Sequence, residues 1–141
     1  MRRSRILIVD DDLAIVKLVQ AGLAHRGFET LAATEGKCRL YMSIINLGEV
    51  MYIVERERGL PKAQETLARI DELPIEIVDA DRNLTLAAAH LKTHWSIAYA
   101  DCFAAALSQI KSAPLVTRDP EFSKVKPSSA LQVEWPPSQE S

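Results

Sequence analysis

Four acidic residues that are far apart in the sequence occupy similar positions relative to the predicted strands and helices. Asp10 directly follows the first apolar run, and Asp119 follows the apolar residues 115–117. Glu49 and Asp101 each lie in the early turns of a predicted helix. In a parallel sheet, the carboxyl ends of the strands and the amino ends of the following helices share one edge. We therefore expect these four carboxylates to meet at that edge.

A cluster of carboxylates of this kind would require a cation. Several negative charges in a partly dry cleft repel one another unless a cation offsets them, and their hard oxygen atoms suit Mg²⁺ or Mn²⁺. A bound divalent cation can lower the pKa of a water molecule and stabilise charge on a leaving oxygen. The predicted chemistry is therefore metal-assisted hydrolysis of a phosphodiester, with all four acids as catalytic and metal-binding residues.

Helix capping is the alternative explanation for each acid taken singly, because Asp and Glu are favoured in the first turns of helices. It explains Asp10 and Asp119 less well, since these residues follow strands. It also explains Glu49 poorly, because that residue lies among Leu47, Val50 and other apolar positions of its helix.

The elements that must position these acids alternate along the chain. Apolar runs predict short strands at residues 6–9, 28–33, 39–42, 75–78 and 115–117, with an edge strand at 131–135. Helical spacing of apolar residues predicts helices over residues 13–26, 44–58, 61–73, 84–91 and 98–110. The alternation indicates an α/β fold, a three-layer α/β/α sandwich around a central, mostly parallel sheet.

Several helix ends carry recognisable signals. Ser43 is predicted to cap the helix over residues 44–58, and Gly59 to end it. Pro61 suits the first turn of the next helix, where its missing N–H does no harm. Asp79 or Asp81 is expected to cap the helix that follows the strand at 75–78.

Composition places the chain among ordinary globular proteins. It has 141 residues, a hydrophobic fraction of 48% and a net charge of −2, which predict one folded domain and exclude a strongly basic protein that coats nucleic acid. Two cysteines form neither a zinc motif nor a disulfide framework. Three acids from Asp10 onward interrupt the first apolar run, and no window is apolar enough to span a membrane. We expect a cytoplasmic protein with no membrane association.

Three segments carry a resemblance to a known family. Residues 41–50 read YMSIINLGEV, residues 97–107 read IAYADCFAAAL, and residues 115–122 read LVTRDPEF. With these segments the chain from about residue 37 to residue 135 resembles a PIN domain, the metal-dependent ribonuclease fold of VapC-type toxins. The resemblance implies Mg²⁺ or Mn²⁺ as cofactor, RNA as substrate and an antitoxin-like protein as partner.

The same resemblance assigns roles to individual residues. It places the acids of the family on Glu49, Asp101 and Asp119, and a supporting hydroxyl on Thr117. Ser43 is a second supporting residue. PIN domains open with a strand that ends in an aspartate, and Asp10 is predicted to take that place.

The first part of the chain resembles a different family. Residues 5–12 read RILIVDDD, and with residues 27–36 they resemble the opening β-α-β unit of a response-regulator receiver domain. That resemblance places an acidic Mg²⁺-binding pair on Asp10 and Asp11, so Asp11 is a further supporting residue. The rest of the chain follows the PIN pattern, so we expect no phosphorelay. The chain is thus interpreted as a natural or engineered chimera forming one domain over residues 1–135. About 1–36 would be receiver-like and about 37–135 PIN-like, with a tail at 136–141.

Two functions remain open at this point. The first is a Mg²⁺-dependent endoribonuclease in which Arg118, Lys92 and Arg56 are candidate phosphate contacts. The second is a fused or engineered scaffold without catalytic activity that at most binds a metal. The apolar helix over residues 44–54 is a candidate homodimer surface, and the His90 and His94 pair is expected on the surface.

Overall fold

The computed structural model of the chain describes residues 3–7, 38–72, 75–113, 115–117, 121–122 and 133–134. The strands in these residues are β1 (Arg3–Leu7), β2 (Cys38–Ser43), β3 (Ile75–Val78), β4 (Leu115–Val116) and β5 (Val133–Glu134). The helices are α1 (Ile44–Arg58), α2 (Leu60–Asp71), α3 (Arg82–His94) and α4 (Tyr99–Lys111). No helix among them is long and apolar enough to cross a membrane.

The predicted elements that fall within these residues are confirmed, with shifts at their ends. The first strand begins at Arg3 and not at Ile6. Its polar first half pairs with β2 all the same, because a strand pairs through its backbone and needs no apolar side chain at each position. The predicted strand over residues 28–33 and the helix before it lie outside the described residues.

In the described part of the chain, the sheet has five parallel strands in the order β3-β2-β1-β4-β5. After β1 the chain proceeds outward through β2 to β3, and later returns to β4 and β5 on the other side of β1. This confirms the predicted α/β sandwich with a parallel sheet. The order reverses beside β1, and the carboxyl edge of a sheet at such a reversal is where ligands bind in folds of this class.

The start and end of α1 are fixed by local contacts. Ser43 Oγ accepts a hydrogen bond from the Ile45 backbone N–H at 3.0 Å, as predicted for an N-cap. Gly59 ends the helix with a φ of 91°, a conformation in which a side chain would be strained. The chain therefore turns sharply into α2, which has Pro61 in its first turn.

Helix α4 is the central packing element of the described part. It contacts α1, α3 and the strands β1, β2 and β4. Ala104, Ala105 and Ala106 are completely buried, and Phe103 and Leu107 are nearly so. Methyl side chains let the helix axis approach its neighbours closely. The amino end of α4 is consequently held in a fixed position relative to the sheet edge.

The cap of α3 gives the first testable prediction. Asp81 Oδ1 accepts a hydrogen bond from the Leu84 backbone N–H at 2.8 Å. Asp81→Ala removes this cap, and we expect the free energy of unfolding to fall by about 1 kcal/mol, measured by urea denaturation.

Asp79→Ala is the matched control for this measurement. Asp79 is exposed, and its backbone carbonyl, which the substitution keeps, accepts a hydrogen bond from the Asp81 N–H. Its replacement should leave the free energy of unfolding unchanged within about 0.5 kcal/mol. Equal losses in the two variants would contradict the assignment of the cap to Asp81.

Candidate functional site

Strand register brings two hydroxyl residues to the same level of the sheet edge. Ile6 of β1 pairs with Tyr41 on one side and with Leu115 on the other. Ser43 and Thr117 lie two residues beyond those partners, so they flank the carboxyl end of β1 from both sides. Both are completely buried. Parallel pairing of β1 with both neighbours thus brings Ser43 and Thr117 to this edge.

The first turns of α1 add an amide and a carboxylate. Asn46 and Glu49 follow Ser43 at intervals of three residues, which places them on neighbouring positions along one side of the helix. Asn46 is completely buried, and Glu49 is half-buried. A polar row therefore runs from the sheet edge along the start of an otherwise apolar helix face formed by Val50 and Ile53.

Asp101 lies in the first turn of α4, as predicted, with only 3% of its surface exposed. The adjacent Ala100 carbonyl accepts a hydrogen bond of 3.1 Å from Asn46 Nδ2. This bond joins the start of α1 to the start of α4, across 54 residues of sequence. It places the helix turn that carries Asp101 beside the turn that carries Asn46.

The predicted acids divide into two that the structure describes and two that it does not. Glu49 and Asp101 lie on the two helix starts that meet at the sheet edge. Asp10, Asp119 and the supporting Asp11 lie outside the described residues, and their place in the site stays a prediction. Within the described part, no group of three or more His, Cys, Asp or Glu side chains could hold a metal ion.

The residues present fit a hard divalent cation. Asp101 and Glu49 offer carboxylate oxygens, and Ser43, Thr117 and Asn46 offer neutral oxygens. Asn46 Oδ1 is buried and, within the part of the chain that the structure describes, has no hydrogen-bond partner. A donor set made of oxygen atoms suits Mg²⁺ or Mn²⁺ better than softer metals.

The basic residues named from the sequence have different surroundings. Lys92 Nζ donates a 2.6 Å hydrogen bond to the Ile97 carbonyl, so its charge is held at the loop before α4. The Arg56 guanidinium lies over the exposed Tyr52 ring at 5.5 Å and 3.6 Å from Glu57. Arg118 lies outside the described residues. The roles of Lys92 and Arg56 as phosphate contacts stay predictions.

Two other surface predictions can be compared with the structure. His90 and His94 are exposed on α3 with their rings in edge contact at 4.8 Å, which confirms their surface location. Of the apolar α1 residues proposed for a homodimer, Ile44 and Tyr52 are exposed, whereas Leu47, Val50, Ile53 and Val54 are buried within the chain itself.

Family comparison identifies the fold that carries this site. The family model of the PIN domain matches residues 5–127, which include Glu49, Asp101 and Thr117. The chain belongs to the PIN domain family. The match begins at residue 5, so it covers most of the segment that resembles a receiver domain. The receiver resemblance and the boundary near residue 36 stay predictions.

Solved structures of toxin–antitoxin proteins share the PIN fold of this chain. VapBC2 from Rickettsia felis, bound to a DNA fragment from its promoter, is 20% identical with a TM-score of 0.67, and the match covers 95% of this chain and 99% of that one. DNA-bound VapBC from Salmonella typhimurium is 17% identical with a TM-score of 0.66, covering 96% and 98%. VapC20 from Mycobacterium tuberculosis, a sarcin-ricin loop cleaving toxin, is 20% identical with a TM-score of 0.61, covering 84% and 92%. No curated protein matches the sequence.

The site also contains Asn46, which is not among the residues predicted from the sequence. Asparagine carries no charge and is often found at helix starts as a cap, so its type alone does not indicate a site. The signal that was available is the regular spacing of Ser43, Asn46 and Glu49 along a helix whose other inward positions are apolar.

Cys102 follows Asp101 and is completely buried. Burial raises the pKa of its thiol to about 11, while the charge of Lys92 acts to lower that pKa and the charge of Asp101 acts to raise it. The thiol therefore stays protonated at neutral pH, when it is a poor nucleophile and a poor metal ligand.

The raised pKa of Cys102 predicts a loss of stability in alkaline solution. The unfolded chain releases the thiol proton near pH 9.0, whereas the folded chain keeps it to about pH 11. Between these values the folded state binds more protons, so the free energy of unfolding falls as pH rises.

Cys102→Ala removes this contribution. In urea denaturation at pH 8 and pH 10, the parent should lose more stability over this interval than the variant does. Equal losses would show that Cys102 has a similar pKa in the folded and unfolded chains.

Proposed function

We propose that this PIN-domain chain is a Mg²⁺- or Mn²⁺-dependent endoribonuclease, with Asp10, Glu49, Asp101 and Asp119 as its catalytic and metal-binding residues. The observation that carries the proposal is the buried carboxylate of Asp101 at the carboxyl edge of the sheet, beside the helix turns of Asn46 and Glu49. The carboxyl edge of the sheet is where ligands bind in folds of this class, and Asp101 lies there on a helix start that meets the one carrying Glu49. This position supports a cation-binding role for the acid.

The residues of the chain have distinct proposed roles. Glu49 and Asp101 would hold the cation from two helices, with Asp10 and Asp119 completing the carboxylate set. When bound, the cation supplies a water molecule of lowered pKa and stabilises charge on the leaving oxygen. Asp101 also lies at the amino end of α4, where the helix dipole stabilises a negative charge.

The hydroxyl residues are proposed to support this arrangement. Ser43 Oγ fixes the start of α1 through its bond to the Ile45 N–H, and so fixes the direction from which Glu49 approaches. Thr117 is buried at the end of β4, directly before the segment that contains Asp119. Asp11 is proposed to assist Asp10 from the neighbouring position.

RNA is the proposed substrate, and an antitoxin-like protein is the proposed partner. Membership of the PIN family supports the substrate class, as does the similarity to VapC20, a toxin that cleaves the sarcin-ricin loop. The similar VapBC structures support the partner. The chain has a net charge of −2, so RNA would be held by local cations such as Lys92 and not by bulk attraction.

The carboxylate of Asp101 provides the test of activity. Asp101→Asn keeps the size of the side chain and removes its charge, so RNA cleavage in Mg²⁺ or Mn²⁺ should fall to the rate of RNA incubated without protein. Asp79→Asn is the matched control, because Asp79 follows β3 at the same edge of the sheet but is exposed. Its cleavage rate should equal that of the parent. If the parent itself leaves RNA intact, the scaffold without catalytic activity becomes the better description.

Cation binding tests the two acids that lie outside the described residues. Calorimetric titration of Mn²⁺ into the parent, Asp10→Ala and Asp119→Ala should give weaker binding for both variants by about 10-fold or more, because each loses a charged ligand. Unchanged affinity in either variant would remove that residue from the metal-binding set. A parent that binds no cation would contradict the metal-dependent function.

A further inference from the structure

The amide of Asn46 is satisfied on one side only. Its Nδ2 donates to the Ala100 carbonyl at 3.1 Å. Its Oδ1 is buried and has no hydrogen-bond partner among the residues that the structure describes. The whole side chain is inaccessible to solvent. A buried carbonyl oxygen without a donor is unfavourable for folding and uncommon in proteins.

The orientation of this amide is set by its partner. Exchanging the positions of Oδ1 and Nδ2 would turn Oδ1 toward the Ala100 carbonyl and place two acceptors against each other. Nδ2 must therefore face the Ala100 carbonyl, and Oδ1 must be the acceptor atom that lacks a hydrogen-bond donor in the described part of the chain. The buried acceptor follows from the hydrogen-bond geometry and not from an arbitrary choice of amide rotamer.

A purely structural role accounts for the Nδ2 atom of Asn46 but not for its Oδ1 atom. Two other buried polar side chains in the described part have partners close in sequence: Thr66 Oγ1 donates to the Lys62 carbonyl at 2.8 Å, and Ser108 Oγ donates to the Ala113 carbonyl. In Asn46, the tether to Ala100 uses Nδ2 alone. The second polar atom needs a donor that these parts of the chain do not provide.

We propose that Asn46 is a positioning residue of the cation site, whose Oδ1 accepts a hydrogen bond from a water molecule held by the cation. Asn46 lies one turn before Glu49, and its tether binds the residue directly before Asp101. The Asn46 amide therefore lies where the two helix starts that carry the described acids meet. This inference rests on the proposed metal-dependent function and adds a residue to it.

A neutral acceptor suits this position. Mg²⁺ usually keeps several of its waters in protein sites, and those waters need acceptors for their hydrogens. A further carboxylate would add to the repulsion among the acids before the cation binds. An amide oxygen accepts a hydrogen bond without that repulsion. The Nδ2 of the same amide holds the two helices together.

Two substitutions distinguish the contribution of Oδ1 from that of the Nδ2 hydrogen bond to Ala100. Asn46→Leu removes both polar atoms at similar volume, whereas Asn46→Asp keeps an acceptor oxygen and loses the Nδ2 donor to Ala100. In calorimetric titration with Mn²⁺, Asn46→Leu should weaken binding by about 10-fold or more, a typical effect of removing an outer-shell partner. Asn46→Asp should bind Mn²⁺ at least as tightly as the parent. Thr66→Val, which removes a buried polar group from α2, should leave the affinity unchanged.

Thermal unfolding gives a second readout that does not depend on catalysis. The Tm measured in saturating Mn²⁺ should exceed the Tm measured in EDTA. This difference should be smaller for Asn46→Leu than for the parent, and Asn46→Asp should show a difference at least as large as that of the parent. Far-ultraviolet circular dichroism reports whether each variant folds, and Asn46→Ala replaces the leucine variant if that one does not.

The outcomes distinguish this inference from the proposed function. Equal weakening in the leucine and aspartate variants would show that only the tether matters, and would overturn the role of Oδ1. Unchanged binding in the leucine variant would overturn it as well, while leaving the metal-dependent function intact. A parent that binds no Mn²⁺ would overturn both.

Discussion

Parallel pairing of β1 with β2 on one side and β4 on the other is the constraint on which the site depends. One residue, Ile6, is level with both Tyr41 and Leu115, so the positions that follow these partners reach the sheet edge together. Ser43 then caps α1, and Thr117 precedes the segment with Asp119. A shift of one residue in either pairing would turn the side chains of that strand to the opposite face and separate the hydroxyls from the acids.

The starts of α1 and α4 add the other polar residues of the site to the sheet edge, and the two helices are positioned by different interactions. Helix α1 follows β2 directly, and its start is fixed by the Ser43 cap. Helix α4 is positioned by packing, because its completely buried alanines allow it to lie close to three strands. The Asn46 amide then fixes the two starts relative to each other. The polar residues at this sheet edge are thus positioned together by strand register, helix capping, close packing and the hydrogen bond of Asn46.

Much of this arrangement could be predicted from the sequence, because its signals are local. The helix beginning at Ile44 has a serine cap and a terminal glycine, and Asp101 is read directly as a first-turn acid. The start of β1 was misplaced, since its first residues are polar and pair only through the backbone. The contribution of Asn46 was missed because it depends on a bond to Ala100, 54 residues away. Contacts between distant residues leave no pattern within a short window of sequence.

The separation of the paired strands in sequence also governs when the site can exist. Ile6 and Leu115, which pair in the sheet, are more than one hundred positions apart. Closing such a loop is entropically costly and makes folding slow compared with proteins of mainly local contacts. In a chain emerging from the ribosome, the sheet edge at which Ser43 and Thr117 flank β1 would therefore be incomplete until β4 has been synthesised and paired. For the proposed nuclease function, activity would begin only after β4 has been synthesised and has paired with β1.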